Sequence, residues 1–202
     1  MTDSQYSRQE VAKPQVVPQY RLMDSNQVRE AAAAQIAKHR RLLRTGRSGR
    51  VLSALMLPLL RWSPPAGFGV LTTTGCKSGK PRSKCVRVIR RGERAYLVAL
   101  RPPHVAVTAP DAVHAWVRNI RANPTVRLRI PDGTFDGVAH EITDADLATA
   151  RAAICDTVNP VDYAECTLHL RGLPTHTKIQ ELHRYWFDTG IPIVIELKET
   201  TA

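Results

Sequence analysis

Gly69-Val-Leu-Thr-Thr-Thr-Gly-Cys-Lys-Ser-Gly-Lys-Pro-Arg82 is the stretch whose reading decides the fold. Its first half is apolar and β-branched, as a strand requires, and its second half is a glycine-bounded turn that holds Lys77, Lys80 and Arg82 within six positions. A turn of this kind is expected to offer backbone N–H groups and cations to one anion. A P-loop is excluded. Three residues separate Gly75 from Gly79, Pro81 stands where a magnesium-binding hydroxyl belongs, and no helix can start there.

Working outward, Gly67 to Thr74, Lys84 to Arg90 and Ala95 to Leu100 read as three successive antiparallel strands, divided by Ser78-Gly79-Lys80-Pro81 and Arg91-Gly92-Glu93. A helix follows, with Thr108-x-x-Asp111 as its capping box and Val113, Trp116, Val117 and Ile120 at helical spacing, and Asn123-Pro124 ends it. Thr125 to Ile130 and Thr134 to Ile142 form a hairpin about Pro131-Asp132-Gly133. Thr143-x-x-Asp146 caps a further helix that ends before Asn159-Pro160, residues 158–173 read as irregular, and a last helix starts near Pro174 and stops at Gly190. Ile191 to Leu197 is a final buried strand. Six strands with hairpin-length connections among the first five predict an α+β fold built on a small antiparallel barrel, not alternating βαβ units.

Before the barrel, residues 1–23 have no apolar periodicity and read as a disordered tail. Residues 24–65 form a second unit. Ser25 to Thr45 is an Ala-rich helix capped by Asp24 or Ser25, with Lys38, Arg40, Arg41 and Arg44 towards its C-terminal end. Val51 to Trp62 is largely apolar and too short to span a bilayer. That segment either packs on the barrel or in a homodimer interface, or it lies on an anionic membrane surface with residues 38–62 as the contact. The barrel domain occupies residues 66–198.

Charge is unevenly distributed: +7 over residues 1–65, +10 over 66–133 and −6 over 134–202. A basic middle and an acidic last third predict a localised anion site, not a nucleic-acid-binding surface, and the 5% aromatic content offers few rings for base stacking. Cys76, Cys85, Cys155 and Cys166 lack the close spacing of a zinc knuckle or redox pair. With no apolar leader-like segment, they predict free thiols and a cytoplasmic location, at most on the inner face of the membrane. His169, His176 and His183 are seven apart, two helical turns, so no metal is expected.

Three segments together carry a resemblance. The Gly69 to Arg82 stretch, the Trp116-x-x-Asn119-x-x-Ala122-Asn123-Pro124 helix end and the closing Gly190-Ile-Pro-Ile-Val194 resemble the F420-dependent nitroreductase and quinone-reductase family. The likeness covers roughly Ala66 to Leu197 and implies a six-stranded antiparallel split β-barrel of the FMN-binding type, with flanking helices and an N-terminal helical extension.

It also implies that the turn holds the phosphate and oligoglutamate tail of the deazaflavin coenzyme F420. Lys77, Lys80 and Arg82 would be its cations, Ser78 and Gly79 part of the same cradle, and Arg87 and Trp116 the lining of the cofactor's other end. Cys76 replaces the first cation of the family's basic pair, and Arg101 or His104 is placed to compensate. The implied reaction is hydride transfer from reduced F420 to a quinone, nitro compound or activated double bond, with protein groups supplying orientation and a proton. Where relatives carry tyrosines on the last helix, this chain has His183, a candidate proton donor, with Tyr163 as a second candidate for contacting substrate. FMN in place of F420, and a non-catalytic F420-binding or membrane-associated protein, are the alternatives.

Overall fold

The computed structural model describes residues 46–101 and 113–198, together with positions 30, 34, 37 and 38. The expected tail at 1–23, most of the Ser25–Thr45 helix, His104 and the Thr108-x-x-Asp111 capping box lie outside the described residues.

The described chain runs α1 (Gly46–Trp62), β1 (Phe68–Thr74), β2 (Pro81–Arg91), β3 (Arg94–Ala99), α2 (Ala115–Ala122), β4 (Thr125–Ile130), β5 (Gly133–Glu141), α3 (Asp144–Asp156), α4 (Pro160–His169), α5 (His176–Thr189) and β6 (Ile191–Lys198). The six strands close into an antiparallel barrel in the order β1-β2-β3-β6-β5-β4, so the predicted barrel is borne out. Its interior follows from strand alternation. Leu71 on β1, Val86 and Val88 on β2, Leu97 on β3, Leu128 on β4 and Ile193 on β6 all turn inward, and Trp116, Val117 and Ile120 of α2 join that core.

The opposite face of β2, β3 and β6 is covered by helices. Ile89, Tyr96 and Val194 pack there against Ala150 and Ile154 of α3 and Phe187 of α5. A third cluster, with Cys166 and Leu170 beside Ile179, Leu182 and Trp186, joins α4 to α5. The outer face of β1 and β2 is flanked by α1, which buries Leu60 and leaves Leu55 and Trp62 72% and 85% exposed. Pro58 lies inside this helix and does not end it. No described helix is long and apolar enough to cross a membrane.

Two local expectations change. Residues 158–173 are not irregular, because Pro160 to His169 is helical. Asn159-Pro160 starts that helix: proline is tolerated at a first helical position, and the Asp162 carboxylate accepts the Asn159 N–H at 2.7 Å. At Thr143 the helix begins as expected, but no side-chain cap forms there. The Asp146 carboxylate accepts from Arg94 at 3.0 Å instead.

Charge asymmetry also has a structural component. Arg87, Arg94, Arg121 and Arg127 of the basic middle pair with Asp162, Asp146, Glu141 and Asp136 of the acidic last third. Part of the +10 excess is therefore matched across the fold.

Candidate functional site

The β1–β2 turn sits at one end of the barrel and is held in a single shape. Gly75 donates to the Lys80 carbonyl at 2.9 Å, and the Gly75 carbonyl accepts from Ser78 at 3.1 Å and Gly79 at 2.8 Å. Gly79 has φ +62°, the left-handed conformation that a side chain would strain. The N–H groups of Ser78 and Gly79 are thus engaged within the turn, which corrects the expectation of a backbone cradle. Its side chains remain available. Lys77, Ser78, Lys80 and Arg82 are exposed, and the three cations have no carboxylate partner among the described residues.

Asn119 fixes the turn to α2. Its Oδ1 accepts the Cys76 N–H at 3.0 Å, and its Nδ2 donates to Thr73 Oγ1 at 3.0 Å in a buried contact. In the sequence Asn119 is visible only as part of the Trp116-x-x-Asn119 motif. Its role could not be assigned without knowing that β1 and α2 meet. One helical turn earlier, Trp116 is buried in the barrel core, and its Nε1 donor has no partner among the described residues. A buried donor without an acceptor costs about 1–3 kcal/mol.

Lys84 belongs to the same end and is a further residue beyond those expected from the sequence. It shares the inward parity of Val86 and Val88, pairs in register with Leu71, and is partly buried. Burial lowers the pKa of its ammonium below the usual lysine value. Alternation along β2 could have revealed it. His114, just before α2, hydrogen-bonds the Leu100 carbonyl, and burial, with Lys84 and Arg101 nearby, lowers its pKa. Arg101 is buried at the end of β3. Lys77, Ser78, Gly79, Lys80, Arg82, Arg101 and Trp116 therefore belong to this end of the barrel or to the elements leading into it, along with Lys84, Asn119 and His114.

The other expected residues lie elsewhere. Arg87 has the opposite parity to Val86 and points into the helical layer, away from the barrel interior. There its guanidinium donates to Asp162 Oδ1 at 3.4 Å and Oδ2 at 3.2 Å, to the Ile154 carbonyl at 3.4 Å and to the Thr157 carbonyl at 2.9 Å. It also reaches His183 Nδ1 at 3.3 Å. A guanidinium with this many partners ties α3 and α4 to the barrel and has little left for a cofactor, which corrects its expected role. His183 is 1% exposed, and its pKa is pushed down to about 3, first by burial and then by the Arg87 charge. It stays neutral and enclosed, so it does not fit a proton donor to a bound substrate. Tyr163 stands on the exposed side of α4 and is not brought to the turn.

Asp162, Glu165 and His183 offer ligand atoms within 4.8 Å of one another. They do not suit a metal. Arg87 can only donate, so His183 Nδ1 must accept and Nε2 carries the proton that a metal would have to displace. Burial, and secondarily Asp162, raises the Glu165 pKa to about 7 against the opposing Arg87 charge, so this carboxyl is a weaker anionic ligand than an ordinary one.

A family model for F420H(2)-dependent quinone reductases matches residues 61–176. The chain belongs to this family. The matched span runs from the end of α1 to the start of α5 and so includes the turn, Asn119 and Trp116. Among solved structures, the F420-H2 dependent reductase FDR-A is similar at 20% identity over 66% of this chain and 97% of that one, with a TM-score of 0.42. An F420 reductase matches at 17% identity over 66% and 88%, with a TM-score of 0.35. A heme binding protein from Mycobacterium smegmatis matches at 19% identity over 69% and 48%, with a TM-score of 0.44.

Proposed function

We propose that this family member is an F420H2-dependent reductase that uses the turn end of the barrel as its cofactor site. The observation that carries the reading is one end of one barrel holding three exposed cations without carboxylate partners and a buried indole donor without an acceptor. A long polyanionic cofactor with a polar ring system suits that combination. Lys77, Lys80 and Arg82 would hold its phosphate and carboxylates, with the Ser78 hydroxyl as a further donor. Trp116 Nε1 would donate to an acceptor on the ring, and Arg101 would add charge on the inner side.

When bound in reduced form, F420 supplies the hydride. The chain's own contribution is to orient both partners and to hold a proton at Lys84 Nζ, which burial makes more acidic than a solvated lysine. Quinones, nitro compounds and activated double bonds are the acceptors that take a hydride and then such a proton.

The test is to titrate the purified protein with F420 and separately with FMN, then add menadione to the reduced F420 complex and follow reoxidation. Saturable F420 binding with menadione-dependent reoxidation is expected. Binding of FMN alone overturns the cofactor assignment, and F420 binding without reoxidation of any acceptor overturns the enzymatic one.

A peripheral contact with an anionic membrane through residues 38–62 belongs to the same proposal. It is supported by Val51, Leu55, Leu59 and Trp62, all exposed on α1. Flotation with anionic liposomes should be lost on deleting residues 1–65, and unchanged flotation would overturn that contact.

A further inference from the structure

We propose that the groove between the end of α1 and the outer face of β1, β2, β4 and β5 is a second anion site, which takes a phosphate-type oxyanion. It is separate from the cofactor reading. The strand register builds it. Thr72 pairs with Ser83 across β1–β2 and with Arg127 across β1–β4, while Val70 pairs with Arg129. These positions have the outward parity, opposite to Leu71 and Thr73, so the groove and the Thr73–Asn119 contact lie on opposite faces of the same hairpin. Arg61, in the last turn of α1, closes one side and Thr134 of β5 another, around a cavity of about 380 Å³.

The polar groups inside are arranged around a shared space. Arg61 donates to Ser83 Oγ at 3.2 Å, and Ser83 Oγ lies 3.0 Å from Thr72 Oγ1. Arg129 donates to the Trp62 carbonyl at 3.1 Å, which places its charge at the C-terminal end of the α1 dipole. Arg127 is neutralised by a two-pronged contact with Asp136 at 2.8 and 3.1 Å. Arg61 and Arg129 have no carboxylate partner among the described residues. A guanidinium has five N–H donors, so each retains several beyond its one contact here. Two unneutralised guanidinium groups facing one cavity with three hydroxyl side chains provide the charge-assisted, multi-donor geometry that phosphate oxygens accept. Among the described residues no acidic side chain lines the cavity.

The phosphate could be carried by a soluble ester or by a lipid headgroup, and the test separates them. The full-length protein is titrated with glycerol 3-phosphate at constant ionic strength, following Trp fluorescence and thermal stability. A parallel titration uses vesicles of phosphatidylglycerol, with phosphatidylcholine vesicles as control. Saturable binding is expected, weakened at least tenfold in Arg61→Gln/Arg129→Gln and unchanged in Lys77→Ala/Lys80→Ala. If the arginine variant does not fold, Thr72→Val/Ser83→Ala keeps both guanidinium groups and should weaken binding at least threefold.

Phosphatidylglycerol vesicles that bind through the arginines and displace glycerol 3-phosphate identify a lipid-borne phosphate. Binding of glycerol 3-phosphate alone identifies a soluble one. The proposal is overturned if neither probe binds saturably, if the groove variants bind as the parent does, or if only the turn variant loses binding. F420 binding is read on the same variants. If F420 affinity is unaffected by the turn variant while phosphate binding still depends on the arginines, the cofactor reading alone fails; if F420 affinity falls in the turn variant while phosphate binding does not depend on the arginines, this proposal alone fails.

Discussion

Arg82 and Arg87 are five positions apart on one strand and live in opposite environments. Arg82 stands exposed at the turn with no carboxylate partner, whereas Arg87 is folded into the helical layer with a carboxylate, two carbonyls and an imidazole around it. The difference separates two meanings of a basic residue. A guanidinium that the fold has already satisfied holds the molecule together; one that it has left unsatisfied is available to something else.

Variants can break this contrast, beginning with the largest effect. Asp162→Ala leaves the Arg87 charge buried without its carboxylate and should cost about 3–5 kcal/mol of stability, read by denaturant unfolding. F420 affinity per folded molecule should be unchanged. The triple change Lys77→Ala/Lys80→Ala/Arg82→Ala should do the reverse. It should lower F420 affinity by roughly a hundredfold, about 3 kcal/mol, and flatten the salt dependence of binding, while unfolding moves by no more than about 0.5 kcal/mol.

Asn119→Ala tests the link between the turn and α2. It strands the Cys76 N–H and removes the donor to Thr73 Oγ1, which keeps its own contact with the Arg82 carbonyl, and should cost about 1–3 kcal/mol. Because the turn also loses its anchor, F420 affinity should fall in the same variant. A loss of stability with unchanged affinity would show that the cations need no fixed turn.

The smallest effect concerns pH. Glu165 has a folded pKa near 7 against an ordinary 4.5, so between those values the folded chain holds the proton more tightly and stability falls as pH rises. His183 acts oppositely: its folded pKa of about 3 against 6.5 means that stability is lost as pH falls through that window. The two slopes oppose each other from about 4.5 to 6.5. Glu165→Gln should remove one of them, so that stability rises with pH up to about 6.5 and then levels, by at most about 1.4 kcal/mol per pH unit for one group. An unchanged stability–pH profile in this variant would count against the protonated carboxyl.

Most of the barrel was legible because strand alternation and hairpin turns are local signals. Thr125 to Ile130 was read at its observed boundaries, and the other strands differ at their ends by a few residues. What failed was local chemistry with two meanings. Asn159-Pro160 can end one helix and begin another, and only the Asp162 carboxylate at the third position distinguishes them. In the site, the turn cations were legible as a cluster because they share one short segment. The outward parity of Arg87 was also readable from Val86 and Val88. Its partner Asp162 lies 75 positions away and was not, since nothing in the spacing of two distant residues says that they meet. Asn119 and Cys76, 43 positions apart, present the same difficulty.

Closure of the barrel has one more consequence. Each of its six strands has a neighbour on both sides, β1 and β4 completing the ring. Most of the ring's backbone rows are thereby paired, although Pro81–Arg87 of β2 ladder only with β1 and Val88–Arg91 only with β3. That narrows the room for a strand from another copy, the usual route by which β-rich chains add to one another. Self-association by side-chain contact would instead be sensitive to single substitutions on a helix face, such as Leu55 and Leu59.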